Sequence, residues 1–250
     1  MIPTPQVFIL AAGNSKRCGG QLKQLFLING EPIIRRMIRQ VREFNPDIKI
    51  HVITWHDELK FDDTIIIDTK IKPMQSSDSV LFSVPYWGDR NVVLVGDGVF
   101  TDETLRDILS YNGDFAMFGR LSCSVKPGSE RVAFAFGKTE SQKVIDLLKR
   151  TNQIFKNSSR EDFGGLQALC WATHEDWELL LTLPLTYTDK KMPLYIRIIR
   201  PVRDYLAYRV FFNLWKPRKI IKFIPVVDSI TTDIDTVEEY NLFVESVVIL

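Results

Sequence analysis

The sequence predicts an α/β fold, an open mixed sheet with mostly parallel strands, flanked by helices. Short β-rich apolar runs alternate along the chain with segments of helical periodicity, as strand–helix–strand units require. Two of these runs lead directly into glycine-containing loops with charged residues, where open sheets of this kind keep their ligands. With 250 residues and 45% hydrophobic content, the chain has apolar mass for a substantial core. The expectation is one domain spanning 1–250, with a small acceptor-side region around 111–215.

Val7 to Leu10 is an uninterrupted apolar run and reads as the first strand. Pro32 to Phe44 reads as a helix, with proline at its start and apolar residues at helical spacing. Residues 48–54 return as a strand and 64–68 as another, Ser79 to Val84 form a short helix, and Asn91 to Val95 are a strand rich in valine. Thr101 or Asp102 caps a helix over Asp102 to Ser110. Strands are expected over 115–118 and 131–136, and a helix over Glu140 to Phe155. Gly164 and Gly165 mark a loop or turn on the acceptor side. The segment 202–214 carries Tyr205, Tyr208, Phe211 and Phe212 at helical spacing after Pro201, which suits core packing or a homodimer contact. Lys216, Arg218 and Lys219 then form a basic patch, either a solvated turn or a contact with an acidic acceptor or partner subunit. Residues 221–227 form a late strand, and a terminal helix begins at Asp235 or Thr236, with Glu238 and Glu239 favourable in its first turn.

The loop after the first strand reads Leu10, Ala11, Ala12, Gly13, Asn14, Ser15, Lys16, Arg17, Cys18, Gly19, Gly20, Gln21, Leu22, Lys23. Small residues at 11–13 let a base or sugar lie against the backbone, and successive amides make an anion-binding concavity. Arg17 and Lys23, with Lys16 less directly, add charge-assisted bonds to phosphate. A solvated surface turn is the competing reading of this loop alone. It matches neither G-x-x-x-x-G-K-[ST] nor G-x-G-x-x-G.

The strand 91–95 is followed by Gly96, Asp97 and Gly98, which puts a carboxylate between two glycines at a strand's carboxyl end. Asp97 there serves either as a turn residue or as a ligand for a hard cation. Near the C-terminus, Asp233 and Asp235 share one face if their segment is extended. Mg²⁺ takes a few carboxylates plus substrate phosphates, so Asp97 and Asp235 make a candidate site, with Asp233 a further ligand or an orienting group. These parts suit attack of an ionised phosphate oxygen on the α-phosphorus of a nucleoside triphosphate (NTP), with pyrophosphate leaving. Alignment and charge neutralisation then carry catalysis by Arg17, Lys23 and Asp97.

The stretches L-A-A-G-N-S-K-R-C-G at 10–19 with Leu22-Lys23-Gln24, G-D-G-V-F-T-D at 96–102 and D-I-D-T-V-E-E-Y at 233–240 resemble the nucleotidylyltransferase superfamily. That superfamily includes sugar-1-phosphate nucleotidylyltransferases, methylerythritol-phosphate cytidylyltransferase and the molybdenum-cofactor guanylyltransferase. The resemblance implies a Rossmann-like, GT-A-like nucleotidyltransferase fold, with the first loop on base, ribose and triphosphate, and Asp97 and Asp235 on Mg²⁺. It also implies that Gln75 to Val80 lies near the base, with Ser79 bonded to base or ribose, although a polar turn and helix cap explains Ser76 to Ser79 nearly as well. Ser15 stands where the family has its second loop glycine, Leu22 where a proline is frequent, and Cys18 where Met or Phe follows the arginine. The acidic pair 233 and 235 departs from the lysine often found in the methylerythritol branch, and looks more like enzymes of sugar phosphates, acidic sugars or choline phosphate.

The expected partners are therefore an NTP and a small phosphorylated or acidic acceptor. Lys plus Arg at 32 against Asp plus Glu at 31 gives a formal charge of +1, without the positive field of a nucleic-acid binder. Cys18, Cys123 and Cys170 are isolated and His51, His56 and His174 scattered, against a disulfide framework or a zinc site. The role of a small structural residue suits Cys18 better than that of a nucleophile. Neither a secretory leader nor a run of roughly 20 apolar residues is visible, so a cytoplasmic setting without membrane contact is expected. A nucleotide-sugar-dependent glycosyltransferase and a non-catalytic nucleotide-binding protein are the alternatives.

Overall fold

The computed structural model describes residues 3–13, 15–70, 76–120, 130–157, 222–226, 228 and 230–247. Seven strands form one sheet in the order β10-β8-β9-β6-β1-β4-β5. They are β1 (Gln6–Leu10), β4 (Lys49–Thr54), β5 (Ile65–Asp68), β6 (Arg90–Val95), β8 (Ala116–Arg120), β9 (Glu130–Gly137) and β10 (Lys222–Pro225). Every neighbouring pair is parallel except those made by β9, which runs against both β6 and β8. Two short hairpin-like pairs lie outside this sheet: β2 (Leu27–Ile28) with β3 (Glu31–Pro32), and β7 (Gly98–Val99) with β11 (Thr232–Asp233).

Alternation along the strands builds the two sides of the core. Val7 and Ile9 of β1, with Ile50, Val52, Val92 and Leu94, face the helices α1 (Ile33–Phe44) and α3 (Asp102–Ser110), which bring Ile34, Met37, Ile38, Val41, Leu105, Ile108 and Leu109. Phe8, Leu10, Ile53 and Val93 point the other way. There they meet Val80 of α2 (Ser76–Phe82) and Val144, Leu147 and Leu148 of α4 (Ser141–Asn157). Each helix thus buries one apolar stripe on one face of a pleated sheet. Within the described residues, the sequence-predicted strands and helices appear with small shifts at their ends. The exception is α2, which starts three residues before the expected Ser79, so that Ser79 is a buried residue inside the helix rather than at its cap.

Strand β1 lies between β4 and β6, and Leu10 pairs in register with Ile53 on one side and Val95 on the other. The chain therefore leaves β1 towards β4 and β5 and returns on the opposite side through β6. Such a reversal opens a crevice at the carboxyl ends of the strands, where the loops after β1 and β6 face each other. The terminal helix α5 (Val237–Val247) returns to this end of the sheet, with Phe243 and Ile234 packed on Ile28, Ile33 and Val99. Of the expected acceptor-side region, residues 111–120 and 130–157 supply β8, β9 and α4 of the main layers. Gly164 and Gly165, the aromatic segment 202–214, the basic patch 216–219, Cys123, Cys170, His174, Gln75 and Asn14 lie outside the described residues. Among the described residues, no helix is long and apolar enough to cross a membrane.

Candidate active site

The loop after β1 turns through a single 3₁₀ turn at Lys16–Cys18, and a second at Lys23–Leu25 returns it towards α1. Ser15 adopts the left-handed conformation, φ +48°, a region that glycine enters without strain and that serine rarely adopts. Local bonds hold it there. Its carbonyl accepts from Cys18 N at 2.9 Å and Gly20 N at 3.2 Å, and its hydroxyl accepts from Lys23 N at 3.3 Å. Gly19 and Gly20 follow with φ of +62° and +87°. The loop therefore keeps its turn despite the serine, at a strain cost on the order of 1 kcal/mol.

On the other side of the crevice, Gly96 N donates to Leu10 O at 2.9 Å, so β1 and the Asp97 turn touch backbone to backbone. A Cβ on Gly96 would sit 2.4 Å from that carbonyl oxygen. Only glycine allows this approach.

The C-terminal arm completes the site. Strand β11 pairs antiparallel with β7, Asp233 opposite Gly98, and Ile234 N donates to Asp97 O at 3.1 Å. Asp233 and Asp235 were expected on one face of an extended segment, but regular strand pairing ends at Asp233 and α5 begins at Val237. Thr236, rather than Asp235, caps that helix, its hydroxyl accepting from Glu239 N at 3.1 Å. Glu239 reaches back to accept from Asp235 N at 2.8 Å, which completes a reciprocal cap and leaves the Asp235 carboxylate directed elsewhere.

That carboxylate meets Lys23. The Lys23 ammonium forms an ion pair with Asp97 Oδ2 and lies 3.3 Å from Asp235 Oδ1, so one cation bridges carboxylates 138 positions apart in the chain. Lys23 is 12% exposed, and each carboxylate 18%. Burial alone would depress the lysine pKa, but the charges of Asp97 and Asp235, with Asp233 further off, hold it above the usual lysine range. Arg17, 69% exposed, places its guanidinium 3.3 Å from Asp235 Oδ1. Cys18 is buried, with Sγ 3.5 Å from Asp235 O, and burial pushes its thiol pKa up, which suits a packing residue and not a nucleophile.

The structure thus brings together Arg17, Lys23, Asp97 and Asp235, beside Leu10, Ala11, Ala12, Gly13 and Ser15 of the first loop. Asn14 and the Lys16 side chain lie outside what is described. Ser79 sits on α2, on the sheet face opposite α1 and α3. Sequence reasoning missed Asp228. Its Oδ2 accepts from the hydroxyls of Thr101, Thr104 and Thr231, and its Oδ1 from the amides of Ile230 and Thr231. It thereby ties the arm that carries Asp235 to the first turn of α3. Asp228, Thr231 and Thr104 are unremarkable apart in the sequence, and only folding shows them as one cluster.

Residues 7–122 match the family model described as the MobA-like NTP transferase domain. The likeness is to that domain over a little under half of the chain. The matched stretch holds the first loop, Lys23 and Asp97, while Asp235 lies beyond it. No curated protein matches the chain. Among solved structures, CTP:phosphocholine cytidylyltransferase from Streptococcus pneumoniae is 13% identical with a TM-score of 0.56, over 98% of this chain and 100% of that one. A homologue of Mycobacterium tuberculosis Rv0371c from Mycobacterium sp. strain JC1 is 16% identical, TM-score 0.54, over 98% and 97%. The 4-diphosphocytidyl-2C-methyl-D-erythritol synthase of Anaerococcus prevotii DSM 20548 is 10% identical, TM-score 0.52, over 98% and 99%. At such identities the likeness is one of fold, and it agrees with the GT-A-like arrangement expected of the NTP transferase domain.

Proposed function

We propose that this protein is a Mg²⁺-dependent nucleotidylyltransferase that moves a nucleoside monophosphate group from an NTP to a small phosphorylated or acidic acceptor. A sugar or polyol phosphate is the first choice of acceptor. The observation that carries the proposal is the Lys23 ammonium held between Asp97 and Asp235 at the carboxyl ends of the central strands. A pair of carboxylates already sharing one positive charge offers oxygen donors of the kind a hard divalent cation takes. Among the described residues, no group of three or more His, Cys, Asp or Glu forms a metal cage.

Asp97 and Asp235 would hold the ion, with Asp233 an orienting neighbour. When bound, Mg²⁺ supplies charge neutralisation at the phosphates. The remaining work falls to the chain. The backbone of residues 10–15 receives the nucleotide, base and ribose against the small residues Ala11 to Gly13 and phosphate oxygens against the loop's amides, with Ser79 on the nucleoside side. Lys23 exchanges its carboxylate partners for phosphate oxygens, and Arg17, with Lys16, lines the triphosphate. An acceptor oxygen, already ionised at neutral pH, attacks the α-phosphorus, the new P–O bond forms, and the bond from the α-phosphorus to the bridging oxygen breaks. Pyrophosphate leaves with that oxygen and its electron pair. Arg17 and Lys23 stabilise the charge that accumulates, so no general base is required. The whole chain acts as one domain, with the acceptor entering on the side of residues 111–215. A cytoplasmic enzyme working without nucleic acid or membrane, as a monomer or homodimer, fits this chemistry.

The test is pyrophosphate release from each NTP against a panel of sugar 1-phosphates, polyol phosphates, choline phosphate and acidic sugars, with and without Mg²⁺. Release that needs one NTP, one acceptor and Mg²⁺, and falls by a factor on the order of 100 or more in D97A, is the expected outcome. Release without Mg²⁺ that persists in both D97A and D235A refutes the proposal.

A further inference from the structure

The carboxyl end of β4 reaches across to the loop after β1. Thr54, Trp55 and His56 are consecutive, and each sends a side-chain donor to one of three consecutive carbonyls in the loop after β1. Thr54 Oγ1 donates to Ala11 O at 3.1 Å, Trp55 Nε1 to Ala12 O at 3.0 Å, and His56 Nε2 to Gly13 O at 2.9 Å. A carbonyl can only accept, so His56 carries a proton on Nε2 in this arrangement. The three donors also support one another. Thr54 Oγ1 accepts from the His56 amide at 3.0 Å, and the Trp55 and His56 rings pack with centroids 4.0 Å apart.

Local sterics do not orient this part of the loop. Gly13 has no Cβ, and nothing lies within 4 Å of where one would be, so its peptide groups are free to rotate unless something holds them. The three donors do so. In a planar trans peptide the C=O and the following N–H point to opposite sides, so drawing the Ala11 and Ala12 oxygens towards β4 turns the Ala12 and Gly13 amides away from it. The negative ends of three peptide dipoles are engaged on the β4 side, and the Ala12 and Gly13 amides, the positive ends of the first two, remain for an anion. Thr54 is fully buried, as a packing residue would be, but Trp55 is 37% exposed and His56 is also accessible. Pinning two accessible rings costs side-chain entropy with little core burial in return, which favours a task at the loop over one in the core.

We infer that Thr54, Trp55 and His56 are positioning residues that preset the first loop for the phosphate chain of an NTP, by holding three successive carbonyls out of the anion's path. The inference rests on the nucleotidyl-transfer reading of that loop. A preset loop improves binding of substrate and transition state alike, so its loss raises KM for NTP and leaves kcat nearly unchanged.

Binding of ATP, GTP, CTP, UTP and inorganic tripolyphosphate to the full chain, measured by isothermal titration calorimetry, tests it with W55F, H56L and H56Q. W55F keeps an aromatic ring but removes the donor with the pyrrole part of the indole, H56L removes donor and acceptor, and H56Q keeps an N–H within reach of Gly13 O. For the NTP that the unaltered protein binds, W55F and H56L are each expected to weaken affinity about 3- to 10-fold, the worth of one neutral hydrogen bond. Tripolyphosphate follows the same trend, thermal midpoints stay within about 2 °C, and H56Q returns to within about twofold of the unaltered chain. Unchanged NTP affinity in W55F and H56L overturns the inference while leaving the reaction intact, provided the unaltered protein still releases pyrophosphate. H56Q as weak as H56L overturns the hydrogen-bond basis, and an unaltered protein that binds neither nucleotide nor tripolyphosphate overturns both readings.

Discussion

Asp228 anchors the C-terminal arm, and replacing it by asparagine isolates the energy of that anchor. Its carboxylate accepts two amide and three hydroxyl hydrogen bonds, including Thr101 Oγ1 at 2.9 Å, Thr231 Oγ1 at 2.7 Å and Ile230 N at 2.7 Å. Burial by itself would raise its pKa, but the bonds from Thr104, Thr231 and Ile230 outweigh burial and bring it from 3.8 down to about 2. A depressed carboxylate pKa means that the folded state favours the charged form. Its contribution is therefore complete above the unfolded-state value near pH 4 and is lost as pH falls towards 2. Discounted for solvent screening of a carboxylate that is only partly buried, the shift corresponds to about 2 kcal/mol at pH 7 and about half of that at pH 3. In D228N, urea unfolding followed by circular dichroism is expected to show a loss of about 2 kcal/mol at pH 7, shrinking to about 1 kcal/mol at pH 3. D228N should also weaken Mg²⁺-dependent turnover, because the arm that carries Asp235 is tied to α3 through this carboxylate. A gap between D228N and the unaltered chain that is the same at pH 7 and pH 3, or no gap at pH 7, refutes the reasoning.

K23A removes the cation between Asp97 and Asp235, so Mn²⁺ binding to the nucleotide-free protein, read by electron paramagnetic resonance, is expected to tighten by a factor on the order of 10. Turnover should fall at the same time, and an unchanged NTP rate in K23A takes Lys23 out of the phosphate contacts. His51 is buried, stacked on Phe8 with centroids 4.7 Å apart and bonded through Nε2 to Gln6 at 2.8 Å, and burial with the nearby Lys49 charge lowers its pKa to about 4. The unfolded chain takes up this proton first, so stability should fall as pH drops from about 6.5 towards 4. H51L is expected to flatten that part of the denaturation profile, and an unaltered slope in H51L assigns the loss to other groups.

The sheet was legible in the sequence because burial on both faces leaves a signature each strand carries alone. Val7 to Leu10 and Asn91 to Val95 are nearly all apolar, and the structure places them side by side with every one of those positions wholly or largely buried. Helices α1, α3 and α4 were legible for the same reason, since their apolar stripes recur at helical spacing. The start of α2 was not, because Ser76, Ser77, Asp78 and Ser79 suit a cap and a first turn equally well, and contacts with α4, such as the Asn152 amide donating to Asp78 Oδ1 at 2.5 Å, decide between them. Ser15 shows the converse: its residue type argues against the left-handed turn, and bonds from Cys18, Gly20 and Lys23 hold it there.

By itself, the sequence determined which chemical groups the site has to work with: a small-residue loop with Arg17 and Lys23, an aspartate between glycines at 97, and an acidic pair at 233 and 235. Each is a local pattern of residue types, readable without knowing what it touches. Only the tertiary structure decided that one ammonium joins Asp97 to Asp235, that Asp228 ties the C-terminal arm to α3, and that Thr54, Trp55 and His56 grip the carbonyls of Ala11, Ala12 and Gly13. These are contacts between residues far apart in the chain. They are set by which strands become neighbours, and the free energy that chooses neighbours is the burial of the whole core, shared among all its residues and legible at none of them alone.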